Sequence, residues 1–279
     1  MISRLANEGV WEMKRSILFL LFLLPFITHA QYVSMGEAER ENSTDNGIDL
    51  ILSNSGKNAL SDRKSIKIEN FIIPAIFVGY GIVSLGNNNL KSIDSSIRNE
   101  VEENWPHFKS GLDNYSQFLP TASVFLLGAC GVRGSHSLKE EAIVGMTSLA
   151  ISTSIVLSLK KMTHVRRPDN SSYDSFPSQH TAMAFASAEF LRMEYSEVSP
   201  WIAIGGYVAA TGTGVFRILN NKHWLSDVVA GAGIGMASTD LCYLLFDKLK
   251  NRKVEKGVSF LIYPITGDHV YGGGIAMSF

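Results

Sequence analysis

Five apolar runs carry almost all their charged interruptions at their ends, and that pattern restricts the chain to packed helices. The runs are Phe71–Leu85, Pro120–Val132, Ala142–Leu159, Pro200–Phe216 and Val228–Phe246, the last broken by Asp240. No alternation of period two, the mark of a half-buried strand, occurs before residue 257. Crossing a bilayer takes ~20 apolar residues, with a range of roughly 17–25. Ala142–Leu159, Pro200–Phe216 and Val228–Phe246 sit at the bottom of that range, and the other two runs fall below it. All five are rich in Gly, Ala, Ser or Thr, which suits close helix packing in lipid and equally a tight water-soluble bundle. We expect an all-α fold, a membrane-embedded bundle of about six helices.

Local signals agree with helices. Leu90–Tyr115 is amphipathic, with Ile93, Ile97, Val101 and Trp105 spaced by four, and it breaks at Trp105-Pro106. Ser137-Leu138-Lys139-Glu140 has the form of a capping box, and the helix it opens ends at Lys160-Lys161. Thr181–Leu191 reads as a helix of small residues. Ser199-Pro200 reads as an N-cap followed by proline at the first helical position.

The ends of the chain differ from this middle. Lys14-Arg15, the apolar stretch Ile17–Ile27 and Thr28-His29-Ala30 have the order of a secretory leader, with cleavage expected after Ala30 and the true start at Met13. No Cys follows the apolar stretch, so a lipid-modified leader is not expected. Residues 31–70 are a polar arm, 71–250 the helical domain, and 257–279 a short C-terminal β-hairpin around Thr266-Gly267-Asp268. Export places the chain in a bacterial cell envelope, in a membrane with its chemistry facing the periplasm or, alternatively, soluble in the periplasm.

Composition excludes several classes. Of 279 residues, 46% are hydrophobic and 18% charged, which no disordered chain shows. A net charge of −1 offers no basic field for nucleic acid. Two cysteines cannot build a disulfide framework or a four-Cys zinc site. Cys130 and Cys242 lie in apolar runs and are expected as buried free thiols, with a disulfide between them the alternative.

Three polar clusters sit at helix ends: Lys160-x₆-Arg167-Pro168, Pro177-Ser178-Gln179-His180 and Arg217-x₅-His223-x₃-Asp227. In a bundle, such ends gather on one face. Lys160, Arg167 and Arg217 would supply the cations and forked donors that suit a tetrahedral oxyanion. Ser178 adds a hydroxyl, and the backbone N–H groups at a helix start add further donors. His223 and Asp227 are four apart, so a carboxylate can fix one imidazole nitrogen and leave the other as a nucleophile. His180 is a second imidazole for proton transfer. Each residue also has a bland role: Lys160 as a complement to the helix dipole, His180 as a helix-start residue, His223 and Asp227 as a structural pair. Their joint occurrence decides for chemistry. His107, His136, His164 and His269 belong to no cluster and are expected at the surface; Arg166 is expected against solvent or headgroups, and Asp174 has no assigned role.

These three clusters, in this order, resemble the motifs of the type 2 phosphatidic acid phosphatase superfamily, which also includes vanadium haloperoxidases and bacterial class A acid phosphatases. The resemblance covers roughly residues 70–247. It implies His223 as nucleophile, Asp227 as its partner, His180 as general acid and base, and Lys160, Arg167, Ser178, Gln179 and Arg217 as phosphate ligands. His223-x₃-Asp227 could ligate a metal, but the surrounding cations repel a divalent ion and attract phosphate, so no metal and no cofactor are expected, and vanadate, a phosphate mimic, is expected as an inhibitor. The sequence departs from the pattern twice: Gln179 stands where the family has Gly, and Phe216 where it commonly has Ser. The activity implied is hydrolysis of a phosphate monoester or diphosphate on an envelope lipid. Phosphatidic acid, phosphatidylglycerol phosphate, undecaprenyl diphosphate and lipid A are the candidates. The alternatives are a soluble acid phosphatase for small esters, a haloperoxidase, or a non-catalytic phospholipid-binding protein with a relic site. The expected partners are a lipid phosphate and a membrane, with no nucleic acid; oligomeric state is left open.

Overall fold

A computed structural model describes residues 68–255, 259–267 and 270–278. The expected leader and most of the polar arm lie outside the described residues. Among the described residues, a 3₁₀ turn at Ile68–Phe71 is followed by eight α-helices. They are α1 (Ile72–Gly86), α2 (Asn88–Asn104), α3 (Asp113–Ser116), α4 (Leu119–Ala129), α5 (Leu138–Thr163), α6 (Gln179–Tyr195), α7 (Pro200–Leu219) and α8 (Leu225–Glu255). Seven of them answer to segments read from the sequence, and the one-turn α3 is the addition. Beyond the bundle, β1 (Ser259–Gly267) and β2 (Val270–Ser278) pair antiparallel, with Ser259 opposite Ser278.

Sequence chemistry sets the helix boundaries. The Asn87 side chain accepts from the N–H groups of Asn89 and Leu90, at 2.9 and 3.2 Å, and so opens α2. The Glu140 carboxylate reaches back to the N–H of Ser137 at 3.1 Å and opens α5. Trp105 is the C-cap of α2 and 54% exposed, rather than the next residue of its apolar stripe. The proline that follows it disfavours helical φ/ψ and turns the ring out of the row formed by Ile93, Ile97 and Val101.

Four segments are long and apolar enough to cross a membrane: Ile68–Gly86, Leu138–Thr163, Pro200–Leu219 and Leu225–Lys250. Burial orders them. The Leu225–Lys250 window is 78% buried, against 22% for Ile68–Gly86 and 28% for Leu138–Thr163. α8 is therefore the central helix of a membrane-spanning bundle, with α1, α5 and α6 packed around it. The outer helices turn Ile72, Ile76, Ile143, Met146 and Met162 outward, as a lipid-facing surface requires. On the inner side, Gly231 and Gly235 of α8 lie against the backbone of α6, where a Cβ would collide with the carbonyl oxygens of Ser178 and Ala182. That approach brings the start of α8 against the start of α6.

Buried polar groups pin the other end. Arg192 joins Glu189 on α6 and Asp240 on α8, and the Tyr207 hydroxyl of α7 donates to Glu189. His136 is no surface residue. Its side chain is 7% exposed, with Nδ1 2.9 Å from Glu194 Oε1, and its backbone N–H donates to Glu194 Oε2 at 3.0 Å. The buried Glu194 carboxylate also accepts from the Tyr243 hydroxyl, so it needs donors that the loop carrying His136 supplies. His107 and His164 are exposed, whereas His269 lies outside the described residues. Both cysteines are free, but only Cys242 is buried. Cys130 is exposed as the C-cap of α4.

Candidate active site

The first cluster is built by the end of α5 and the loop after it. Lys160 lies in the last turn, and the helix stops at His164, whose backbone is left-handed at φ 47°. The chain then folds back, so that the Lys160 ammonium donates to the carbonyl oxygen of Asp174 and, at 3.4 Å, to that of Ser175. Arg167 is held in bidentate fashion: Nε donates to Asp174 Oδ1 at 2.9 Å and Nη2 to Oδ2 at 3.0 Å. Arg166 is exposed, 5.8 Å from the Tyr173 ring centroid.

The second cluster begins α6. Ser178 is the N-cap and fully buried, with Oγ 2.9 Å from Thr181 Oγ1. Its N–H donates to the Asp227 carbonyl at 3.0 Å, fastening the start of α6 to the first turn of α8. Gln179 and His180 are the first two helical residues, both half-buried. No side chain caps this helix, so its leading N–H groups and the positive end of its dipole stay available to an anion.

The third cluster spans the end of α7 and the start of α8. Arg217, in the last turn of α7, donates from Nη1 to Asp113 Oδ2 at 2.6 Å. Its Nε is buried without a hydrogen-bond partner. His223 is 3% exposed, and its Nδ1 lies 3.5 Å from Asp227 Oδ2. That oxygen also accepts from the Trp224 N–H at 2.9 Å and from Ser175 Oγ at 2.5 Å. Phe216, the departure before Arg217, stacks on Phe108 with centroids 6.0 Å apart.

Electrostatics shows that the three clusters converge. Burial first, then the charges of Lys160, Arg217 and Arg167, hold the His223 imidazole well below the usual histidine range. Burial and then Arg217 lower His180 to about 4, although Asp113 pulls the other way. Both rings are therefore neutral near pH 7, and each feels all three cations. With Nδ1 turned toward Asp227, His223 keeps Nε2 as its outward nitrogen.

Four neighbours escaped sequence reasoning. Asp113 and Asn114 sit on α3 and touch Arg217 and His180, the latter at 2.9 Å from His180 Nε2 to Asn114 Oδ1. No pattern announces contacts over 104 and 66 positions. Ser175 lies two residues before Pro177 and reaches Asp227 across 52 positions. Asp174, left without a role, binds Arg167.

The sequence profile of the PAP2 superfamily matches residues 143–251, a stretch that holds all three clusters. A protein of Porphyromonas gingivalis named lipid A 1-phosphatase is 34% identical over 157 residues, 56% of this chain and 35% of that one. The chain thus spans about a third of the length of that curated relative. Among solved structures, a transmembrane PAP2-type phosphatidylglycerolphosphate phosphatase from Bacillus subtilis aligns at 20% identity and TM-score 0.45, covering 65% of this chain and 96% of the other. LpxE of Aquifex aeolicus aligns at 24% identity and TM-score 0.40, covering 52% and 93%.

Proposed function

We propose that this protein is a phosphatase that removes phosphate from an envelope lipid through a phosphohistidine formed on His223. The observation that carries the reading is the gathering of Lys160, Arg167 and Arg217 around two neutral imidazoles at one end of a membrane-spanning bundle. In the reaction, His223 Nε2 forms a bond to phosphorus while the phosphorus–oxygen bond to the lipid breaks. His180 takes up the proton of the incoming phosphate monoanion and passes it to the leaving oxygen. Water, losing its proton to His180, then attacks phosphorus; the phosphorus–nitrogen bond breaks, its electron pair returns to His223 Nε2, and inorganic phosphate leaves. The cations and the start of α6 stabilise the equatorial oxygens, and Asp227 keeps Nδ1 protonated as charge develops on the ring. Vanadate, with the same geometry, inhibits; the chemistry calls for no metal or cofactor, since a divalent ion is repelled where three cations converge.

Support for a lipid comes from the four apolar helices and from an apolar groove of about 420 Å³ between α4 and α7, lined by Leu119, Leu126, Leu127, Trp201 and Ile202. The 1-phosphate of lipid A is the first substrate to test, because the matched curated relative carries that name. An active site on the periplasmic side fits the leader-like residues at the start of the chain. The test is phosphate release in detergent from lipid A, phosphatidic acid, phosphatidylglycerol phosphate, undecaprenyl diphosphate and p-nitrophenyl phosphate, with and without vanadate. Vanadate-sensitive release from a lipid supports the reading. Release from p-nitrophenyl phosphate alone would replace it with a small-ester phosphatase, and silence on all five would leave a phospholipid-binding protein.

A further inference from the structure

The short helix α3 does something its length does not announce. Two adjacent residues on it contact two different members of the phosphate site. Asp113 Oδ2 accepts from Arg217 Nη1 at 2.6 Å, and Asn114 Oδ1 lies 2.9 Å from His180 Nε2. The segment around α3 is fastened to the end of α7 at several further points. Phe108 stacks on Phe216, Ser110 exchanges hydrogen bonds with Asn220 at 2.9 and 2.8 Å, and Ser116 Oγ meets Thr213 Oγ1 at 2.7 Å. Asp113 is 1% exposed and spends only one carboxylate oxygen on Arg217, while Asn114 is exposed.

Resting on the phosphatase reading, we propose that Asp113 and Asn114 are positioning residues: Asp113 sets the guanidinium of Arg217, and Asn114 anchors His180 through Nε2. An amide oxygen only accepts, so Nε2 must carry the hydrogen. The nitrogen that trades a proton with the leaving oxygen and then with water is therefore Nδ1 of His180. Asp113 works on the other partner. By taking Nη1, it leaves Nε and Nη2 of Arg217 for a phosphate oxygen and fixes the plane of the fork. Arg167 is treated alike by Asp174, so each arginine of the site is oriented by a carboxylate of its own.

The charged groups around His180 are Arg217 on α7, Asp113 on α3, Lys160 on α5 and Arg167 in the loop before α6. Replacing Asn114 by aspartate adds one carboxylate against Nε2 and favours the imidazolium. The experiment uses the full chain in detergent, with pH profiles of kcat and KM on the best substrate of the panel. Asn114→Asp is expected to move the His180 limb of the kcat profile upward by about one pH unit, the low end for a partly solvated pair. Asn114→Leu is expected to lower kcat about tenfold with KM unchanged, as for loss of an orienting contact. Asp113→Asn keeps volume and removes the charge; kcat is expected to fall about tenfold with KM no higher, as Arg217 binds phosphate but off its line. Substituting the exposed Asn114 removes no core contact, so the protein keeps its gel-filtration profile. A pH profile that does not move in Asn114→Asp, or wild-type kcat in Asp113→Asn, overturns the inference while leaving the phosphatase reading intact. A wild type silent on every ester overturns both.

Discussion

Ser175 Oγ donates to Asp227 Oδ2 at 2.5 Å, across 52 positions of sequence. The same oxygen takes the Trp224 N–H and faces His223 Nδ1, so three neighbours determine where the carboxylate that orients the proposed nucleophile stands. Ser175→Ala deletes one of the three. Its turnover is expected to drop about tenfold with KM unchanged, the signature of a group that matters only as charge develops. Steady-state kinetics on the best panel substrate checks this; a change confined to KM would mean that Ser175 serves binding alone.

His223→Ala is expected to abolish turnover, because it removes the proposed acceptor of the phosphoryl group. Residual vanadate-sensitive release from the purified variant would remove His223 from that role. His180→Ala should slow turnover by ~10²–10⁴, as expected for loss of a general acid.

Lys160→Ala and Arg217→Ala should each cost on the order of 10²–10³ in kcat if the cations act on developing charge. An effect on KM only would assign them to ground-state binding.

Acid should destabilise the fold. His180 sits at about 4 in the folded protein against its ordinary 6.5, so between these values the unfolded chain binds a proton that the folded chain refuses. Stability therefore rises with pH through that window and is lost as pH falls from 6.5 toward 4. His223, displaced in the same direction, adds to the slope. Thermal unfolding in detergent across this range is expected to show the melting temperature falling with pH. His180→Ala should flatten the part of the slope that His180 supplies, and an unchanged slope would contradict the assignment.

Gly235→Ala should destabilise the bundle without touching chemistry. The added Cβ meets the Ala182 carbonyl and the Ala186 N–H of α6, both backbone, so the helices must part. Overpacking of this kind costs about 1–3 kcal/mol, read as a melting temperature lower by about 2–4 °C per kcal/mol. Gly205→Ala, where a Cβ meets nothing, is the control and should leave the melting temperature unchanged.

The helices were legible because their causes are local. Ser137 with Glu140, Ser199-Pro200 and the uncharged runs act within one or two turns, and the chain's own periodicity records them. The three clusters were legible for a related reason: Lys160, Arg167, Ser178, His180, Arg217, His223 and Asp227 fall at helix ends, and a bundle has only two faces on which ends can meet. Tertiary structure alone decided the rest. It put α8 at the centre, because Gly231 and Gly235 let α6 approach its backbone. It buried His136 under Glu194, and it left Cys130 exposed. It also chose Asp113, Asn114 and Ser175 as partners of Arg217, His180 and Asp227. Those pairings join residues 104, 66 and 52 positions apart, and their hydrogen bonds exist only once the helices have packed. A sequence displays the groups that need partners; which distant group meets the need is settled by the geometry of packing.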